Sequence, residues 1–173
     1  QSLFPDTAYG VESGGDPASI PDLTYEDYLA FHKKYYHPSN SYLYLYGNMD
    51  MEEKLNWIDE NYLSHFEKIE VDSEVRLQKP FAERKEEYGF YSVTEGEDTE
   101  GKAYFSYNTV CGDGLDRNLY RAFPVLSYVL VQSIGAPLKQ ALLDAGIGND
   151  ISCYYEESVR QPFFSIIAKN VKM

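Results

Sequence analysis

FHKKYYHPSNSYLYLYG, Phe31 to Gly47, holds two of the three histidines of a 173-residue chain and the change of period that decides its fold. Just upstream, Thr24 is placed to cap a helix. Glu26 and Asp27 suit the positive end of the helix dipole, and Leu23 can staple onto Tyr28. Tyr28, Phe31 and Tyr35 recur at spacings of three and four, the stripe expected to be buried. Lys33 and Lys34 favour the carboxyl end, and Pro38 pushes His37 out of the helical region, so the helix closes there. Past Asn40 the period becomes two. Tyr42, Tyr44 and Tyr46 share one face and Leu43 and Leu45 the other, which predicts a strand with two apolar faces.

The same stretch raises a metal question, because imidazole is a common ligand. His32 and His37 are five apart, so at ~100° per residue they point about 140° away from each other around a helix. A zinc-binding helix needs two histidines four apart with a carboxylate, written His-Glu-x-x-His or His-x-x-Glu-His, and neither order occurs. His32 and His37 therefore read as capping or packing residues, as does His65 beside Phe66. No residue is assigned a metal, cofactor-binding or catalytic role.

Acidic residues outnumber basic ones 28 to 15, giving a net charge of -13, which argues against nucleic acid as a partner. Seventeen tyrosines and nine phenylalanines against one tryptophan describe a globular chain rich in rings that want one wet end. No apolar run reaches the ~18 residues that a membrane span requires, and no basic-then-apolar leader opens the chain. Cys111 and Cys153 form neither a Cys-x-x-Cys motif nor a dense disulfide framework, so two free thiols in a reducing, cytoplasmic setting are expected.

Along the chain, residues 1 to 22 are dense in Gly and Pro and read as turning loop. Asp50 with Glu53 makes a capping box for a helix whose inner side is Leu55, Ile58, Tyr62 and Phe66. From Glu67 to Pro80 period is lost and charge gained, which marks a linker or boundary. Segments 87–94 and 102–110 are expected to pair as a hairpin around the acidic tip 95–101, which lacks the ligand spacing of a calcium loop. Asp116 can cap a helix bearing Leu119, Phe123, Leu126 and Leu130, with Pro124 a kink. Pro137 suits the first turn of a short helix that turns Leu138, Leu142 and Ala145 inward until Gly146. Segments 149–157 and 161–169 are the last expected strands, and the uncovered final one implies a unit continuing beyond Met173. The fold class expected is α+β: antiparallel sheets with helices packed on one face.

The chemistry-bearing motifs of acyl and phosphoryl transfer are missing: no Gly-x-Ser-x-Gly elbow, no Walker loop and no Gly-x-Gly-x-x-Gly. Ser13-Gly14-Gly15-Asp16-Pro17 does not link a strand to a helix, so it reads as a turn. The pairs Glu52-Glu53 and Glu156-Glu157 read as solvated surface.

Taken together, Phe4-Pro5-Asp6 with Tyr9, Ser13 to Pro17, Ile20, Leu23-Thr24, Phe31-His32, Tyr35 to Asn40 and Gly47-Asn48 resemble the insulinase-type (pitrilysin family) zinc metallopeptidases, nearest the presequence-protease branch. Ala136-Pro137-Leu138, Ala141-Leu142, Gly146-Ile147-Gly148 and Gln161-Pro162-Phe163 extend that resemblance along nearly the whole chain. It implies a clamshell peptidase of four related α+β domains, with zinc held by an inverted His-x-x-Glu-His helix and a later Glu, neither present here. It also implies that residues 1–72 are the C-terminal part of the catalytic domain and 73–173 the N-terminal part of the second, non-catalytic domain. Residues 115–145 would occupy the place of the zinc-ligand helices, without their ligands.

The function so implied is that of a non-catalytic, inactive segment of a zinc-dependent metalloendopeptidase, whose parent encloses and hydrolyses oligopeptides or unfolded peptides. The alternative is a peptide-binding or assembly module of the same fold, and an unrelated acidic α+β domain is the remaining reading. Zinc belongs to the parent and is not expected on this segment. Its expected partners are a peptide substrate in the parent, favouring basic peptides on charge grounds, and the remaining domains of the same chain; self-association of the isolated segment is also expected.

Overall fold

The computed structural model describes residues 1–172, which fall into two compact units: 1–11 together with 75 onward, and 12–74. In the first, strands β1 (Ala103–Val110), β2 (Asp150–Glu156) and β3 (Phe163–Val171) form an antiparallel sheet in the order β1-β3-β2. The last strand in sequence is thus the central one. Helix α3 (Arg117–Ser127) runs into a π-helical turn, Tyr128–Gln132, and is followed by helix α4 (Pro137–Asp144); all three lie over β2. This is the α+β arrangement expected, with helices on one face of an antiparallel sheet.

Side-chain alternation decides which residues meet. Ile151 faces Ala168, Cys153 faces Ile166 and Tyr155 faces Phe164 across the β2–β3 ladder, so one sheet face is continuously apolar. Val131 from the π turn closes onto Ile151 and Ala168, ringed by Leu130, Leu138, Leu142, Leu143 and Ile147. A fully buried Val or Ile side chain contributes ~1.5–3 kcal/mol, so this cluster is the main source of stability in the unit. Gly148 lets the chain pass against β3: it sits at φ +72°, and a Cβ there would lie 2.5 Å from the Lys169 carbonyl.

Asp116 caps α3, its carboxylate accepting from the Asn118 and Leu119 amides at 2.9 and 3.2 Å. Pro124 lies inside α3 and cannot donate to the Tyr120 carbonyl, and four residues later the helix widens into the π turn. In α4, Leu138 and Leu142 turn inward as expected, but Ala145 is exposed because the helix ends at Asp144; Leu143 packs on the core in its place.

Three expectations fail in instructive ways. Segment 87–94 does not pair with β1, so the expected hairpin is present only as its second strand and its turn. Instead Tyr91 packs edge-on against Tyr104, and its hydroxyl donates to the Lys102 carbonyl. The other two failures lie in residues 12–74. Helices α1 (Tyr25–Tyr35) and α2 (Met51–Asn61) form with the expected caps: Thr24 Oγ1 accepts from the Asp27 amide at 3.1 Å, and Asp50 Oδ1 from the Glu53 amide at 3.0 Å. Neither helix buries a residue: of the stripes Tyr28–Phe31–Tyr35 and Leu55–Ile58–Tyr62–Phe66 only Tyr35 and Ile58 are half-buried, and Phe66 meets just the His37 ring; α2 also stops short of Tyr62 and Phe66. Residues 42–46 form no regular element and join no sheet among the described residues, although the Tyr44 and Tyr46 rings stack at 6.5 Å between centres.

Candidate functional site

The histidines sit apart from one another in role. His32 stacks on Tyr36 at 4.8 Å between ring centres. His37 heads the short 3-10 turn Pro38–Asn40, its Nδ1 accepting from the Ser39 amide at 3.1 Å, and its ring meets Phe66 edge-on. His65 lies in the turn Leu63–His65. Among the described residues no group of three or more His, Cys, Asp or Glu converges to hold a metal ion.

The best-organised polar group was not read from the sequence. Gln78 is buried although it lies in the stretch read as a linker. Its Oε1 accepts from the Asp6 amide at 2.9 Å, its Nε2 donates to Asp6 Oδ2 at 2.7 Å, and its own amide donates to Gln161 Oε1 at 2.5 Å. Gln161 Nε2 returns a bond to the Gln78 carbonyl at 3.2 Å. Beside it Phe4 is buried edge-on against Tyr9 and Phe163, the Tyr9 hydroxyl accepts from the Arg160 amide, and Arg160 pairs with Asp113. Three segments distant in sequence are tied by one clasp in which the buried amides find partners, and such complete pairing makes it a rigid scaffold. Phe4-Pro5-Asp6 and Gln161-Pro162-Phe163 were visible as motifs, but long-range pairing leaves no periodic trace at Gln78.

Two open clefts accompany the sheet. One, of about 310 Å³, is lined by Pro124, Ser127, Gln132, Cys153, Tyr155 and Glu157 among others. Cys153 and Cys111 are free thiols, and burial pushes the Cys111 thiol up, away from thiolate. Tyr155 stacks on Phe123 at 5.2 Å; burial raises its phenol, whose hydroxyl has no hydrogen-bond partner among the described residues. The other cleft, of about 320 Å³, lies between 91–94 and Lys102–Tyr104. At its rim Glu97 is held below the ordinary carboxylate range by the hydrogen bond from Lys102. Neither cleft brings a nucleophile and a base within reach of each other. The arrangement can hold shape and present surface.

Residues 22–171 match the family model described as the Peptidase M16 inactive domain, and the chain belongs to that family. Its relatives include Protein HypA of Clostridium perfringens, 50% identical over 173 residues, which cover 100% of this chain and 18% of that protein. Presequence protease 1, chloroplastic/mitochondrial, of Arabidopsis thaliana is 34% identical over 175 residues, covering 99% of this chain and 16% of that protein. The mouse mitochondrial presequence protease is 34% identical over 171 residues, covering 95% and 16%. The chain thus spans less than a fifth of the length of these relatives.

Proposed function

We propose that this chain is a non-catalytic wall segment of a zinc-dependent metalloendopeptidase that encloses oligopeptides or unfolded peptides. The observation that carries the reading is the alignment of nearly the whole chain with presequence proteases, together with a family model described as an inactive peptidase domain. On this reading residues 1–72 end the domain bearing the catalytic machinery and 73–173 begin the second domain. Zinc and its ligands belong to other parts of the parent, which acts in the cytoplasm.

What these residues contribute is surface and rigidity. The helices cover β2, while Phe105 and Tyr107 on the same face of β1 stay about half exposed, so an apolar strip remains open to a peptide's side chains. The outer edge of β1 joins no further strand among the described residues and offers backbone groups to an extended peptide. The negative charge steers basic peptides at low ionic strength.

The test is hydrolysis of unstructured oligopeptides by the purified full-length parent, with residues 1–173 alone as control. Cleavage by the parent, lost with a chelator, and none by the segment is expected. A parent that binds such peptides without cutting them would replace this reading with the peptide-binding module. Equal cleavage of basic and acidic peptides at low and high salt would remove the steering argument alone.

A further inference from the structure

Domains joined in series meet at exposed linkers that few contacts cross, and such neighbours move independently. The stretch around Gln78, read from the sequence as a linker of that kind, is held instead. Gln78 is 6% exposed, and each of its hydrogen-bonding groups has a partner. The Gln161 side chain takes its backbone, accepting from the amide and donating to the carbonyl. The Gln78 side chain takes Asp6, accepting from its amide and donating to its carboxylate, with a further bond from Nε2 to the Lys79 carbonyl at 3.3 Å. An apolar residue would fill the same space, whereas matched polar groups also choose their partners. Beside them Phe4, 3% exposed, packs edge-on against Phe163 at the start of β3. Residues 1–11 thus dock through one apolar and one polar anchor.

Both leads of the unit 12–74 pass this point. Asp6 lies five residues before Val11 and Gln78 three after Val75, and the two side chains are bonded directly. We propose that residues 1–11 are a strap built into the fold of 75–173, with Gln78 as its buckle. The backbone then passes between the two units twice, at 11–12 and at 74–75, rather than once near residue 72. One clasp fixes where both passages begin. Segment 1–11 belongs by chain order to the domain that ends near 72 and by packing to the one that follows. That these are a catalytic domain and its non-catalytic neighbour rests on the function proposed above; the docking of the strap does not.

Hydrogen exchange followed by mass spectrometry on the full-length protein tests the strap without reference to peptidase activity, so it can fail while the proposed function stands, and the reverse. Gln78→Leu should speed exchange at least about tenfold in 4–10 and in 158–161, where the Arg160 amide donates to Tyr9, while β2 and α2 keep their rates. Asp6→Ala, a change at an exposed position, should move the same segments in the same direction. Asp6→Asn keeps an acceptor for Gln78 Nε2 and should leave them within about threefold of wild type. Fast exchange at 4–10 in the wild-type protein overturns the strap, and so does protection of 4–10 that survives Gln78→Leu. Protection lost as fully in Asp6→Asn as in Asp6→Ala overturns the buckle and assigns the effect to the Asp6 charge.

Discussion

Tyr42–Tyr46 and Phe163–Ala168 are both short runs rich in aromatic and aliphatic residues, yet their fates differ. Phe163–Ala168 lies in β3 between β1 and β2, with Ala168 1% and Phe164 7% exposed. Tyr42–Tyr46 joins no strand, and its three tyrosines are exposed. Intrinsic preference makes both runs competent to be strands, but burial comes from neighbours, and only β3 has them among the described residues. The comparison extends to the helices: α1 and α3 are both capped by a side chain, yet α3, the π turn and α4 cover β2 while α1 buries no residue.

The contrast is broken most severely by a charge in the core. Ile151→Asp, at 2% exposure, should lower the stability of the isolated chain by at least ~4 kcal/mol, read by urea titration of near-ultraviolet dichroism. Tyr44→Asp should change it by under ~0.5 kcal/mol in the same chain. If both variants were equally harmful, residues 42–46 would already have a partner within these residues.

A smaller loss is expected at the clasp. Gln78→Leu strands the Asp6 amide and carboxylate and should cost ~1–3 kcal/mol in the same titration, since these groups are partly buried. Removing caps sharpens the comparison further: Asp116→Ala should cost about 1 kcal/mol of cooperative stability. Thr24→Ala should instead lower helical dichroism at 222 nm with little shift in the main transition, because α1 buries no residue.

Self-association of the isolated chain, driven by the bare rings of 12–74, works against that unit's 14 acidic and 4 basic residues, a net -10, and should strengthen as salt screens the repulsion. Light scattering at low and high ionic strength reads this, and a size independent of both salt and concentration would remove it. The smallest effect concerns Glu156. Its carboxyl is held below its ordinary value by the Ser158 hydroxyl first and the Tyr154 hydroxyl second, and the same contact raises the Tyr154 phenol. With the folded value depressed, the stabilisation is complete above the unfolded value near ~4.3 and is lost as pH falls through the folded one. Glu156→Gln should flatten the acid limb of the melting temperature slightly, and an unchanged limb would assign it to other carboxylates.

The clasp shows why the site was less legible than the elements. Caps at Thr24, Asp50 and Asp116, the Pro137 start and the expected strands at 149–157 and 161–169 were readable because each rests on contacts within a few residues. The bonds joining Asp6, Gln78 and Gln161 span 72 and 83 positions and obey no period, so Gln78 passed for linker. The 87–94 segment stays unpaired for a related reason: alternation specifies a face, and says nothing of whether the neighbouring edge is taken.

What the chain determined by itself is local: where helices start and stop, which runs are extended, and that His32 and His37 cannot share a cation from one helix. Tertiary structure alone decided that the last strand lies in the centre, that Leu143 rather than Ala145 enters the core, and that 12–74 holds its apolar residues outward. The physical reason is range. Caps, turns and periodicity are set by neighbours a turn or a pleat away, whereas burial is a property of whatever surface arrives from far along the chain.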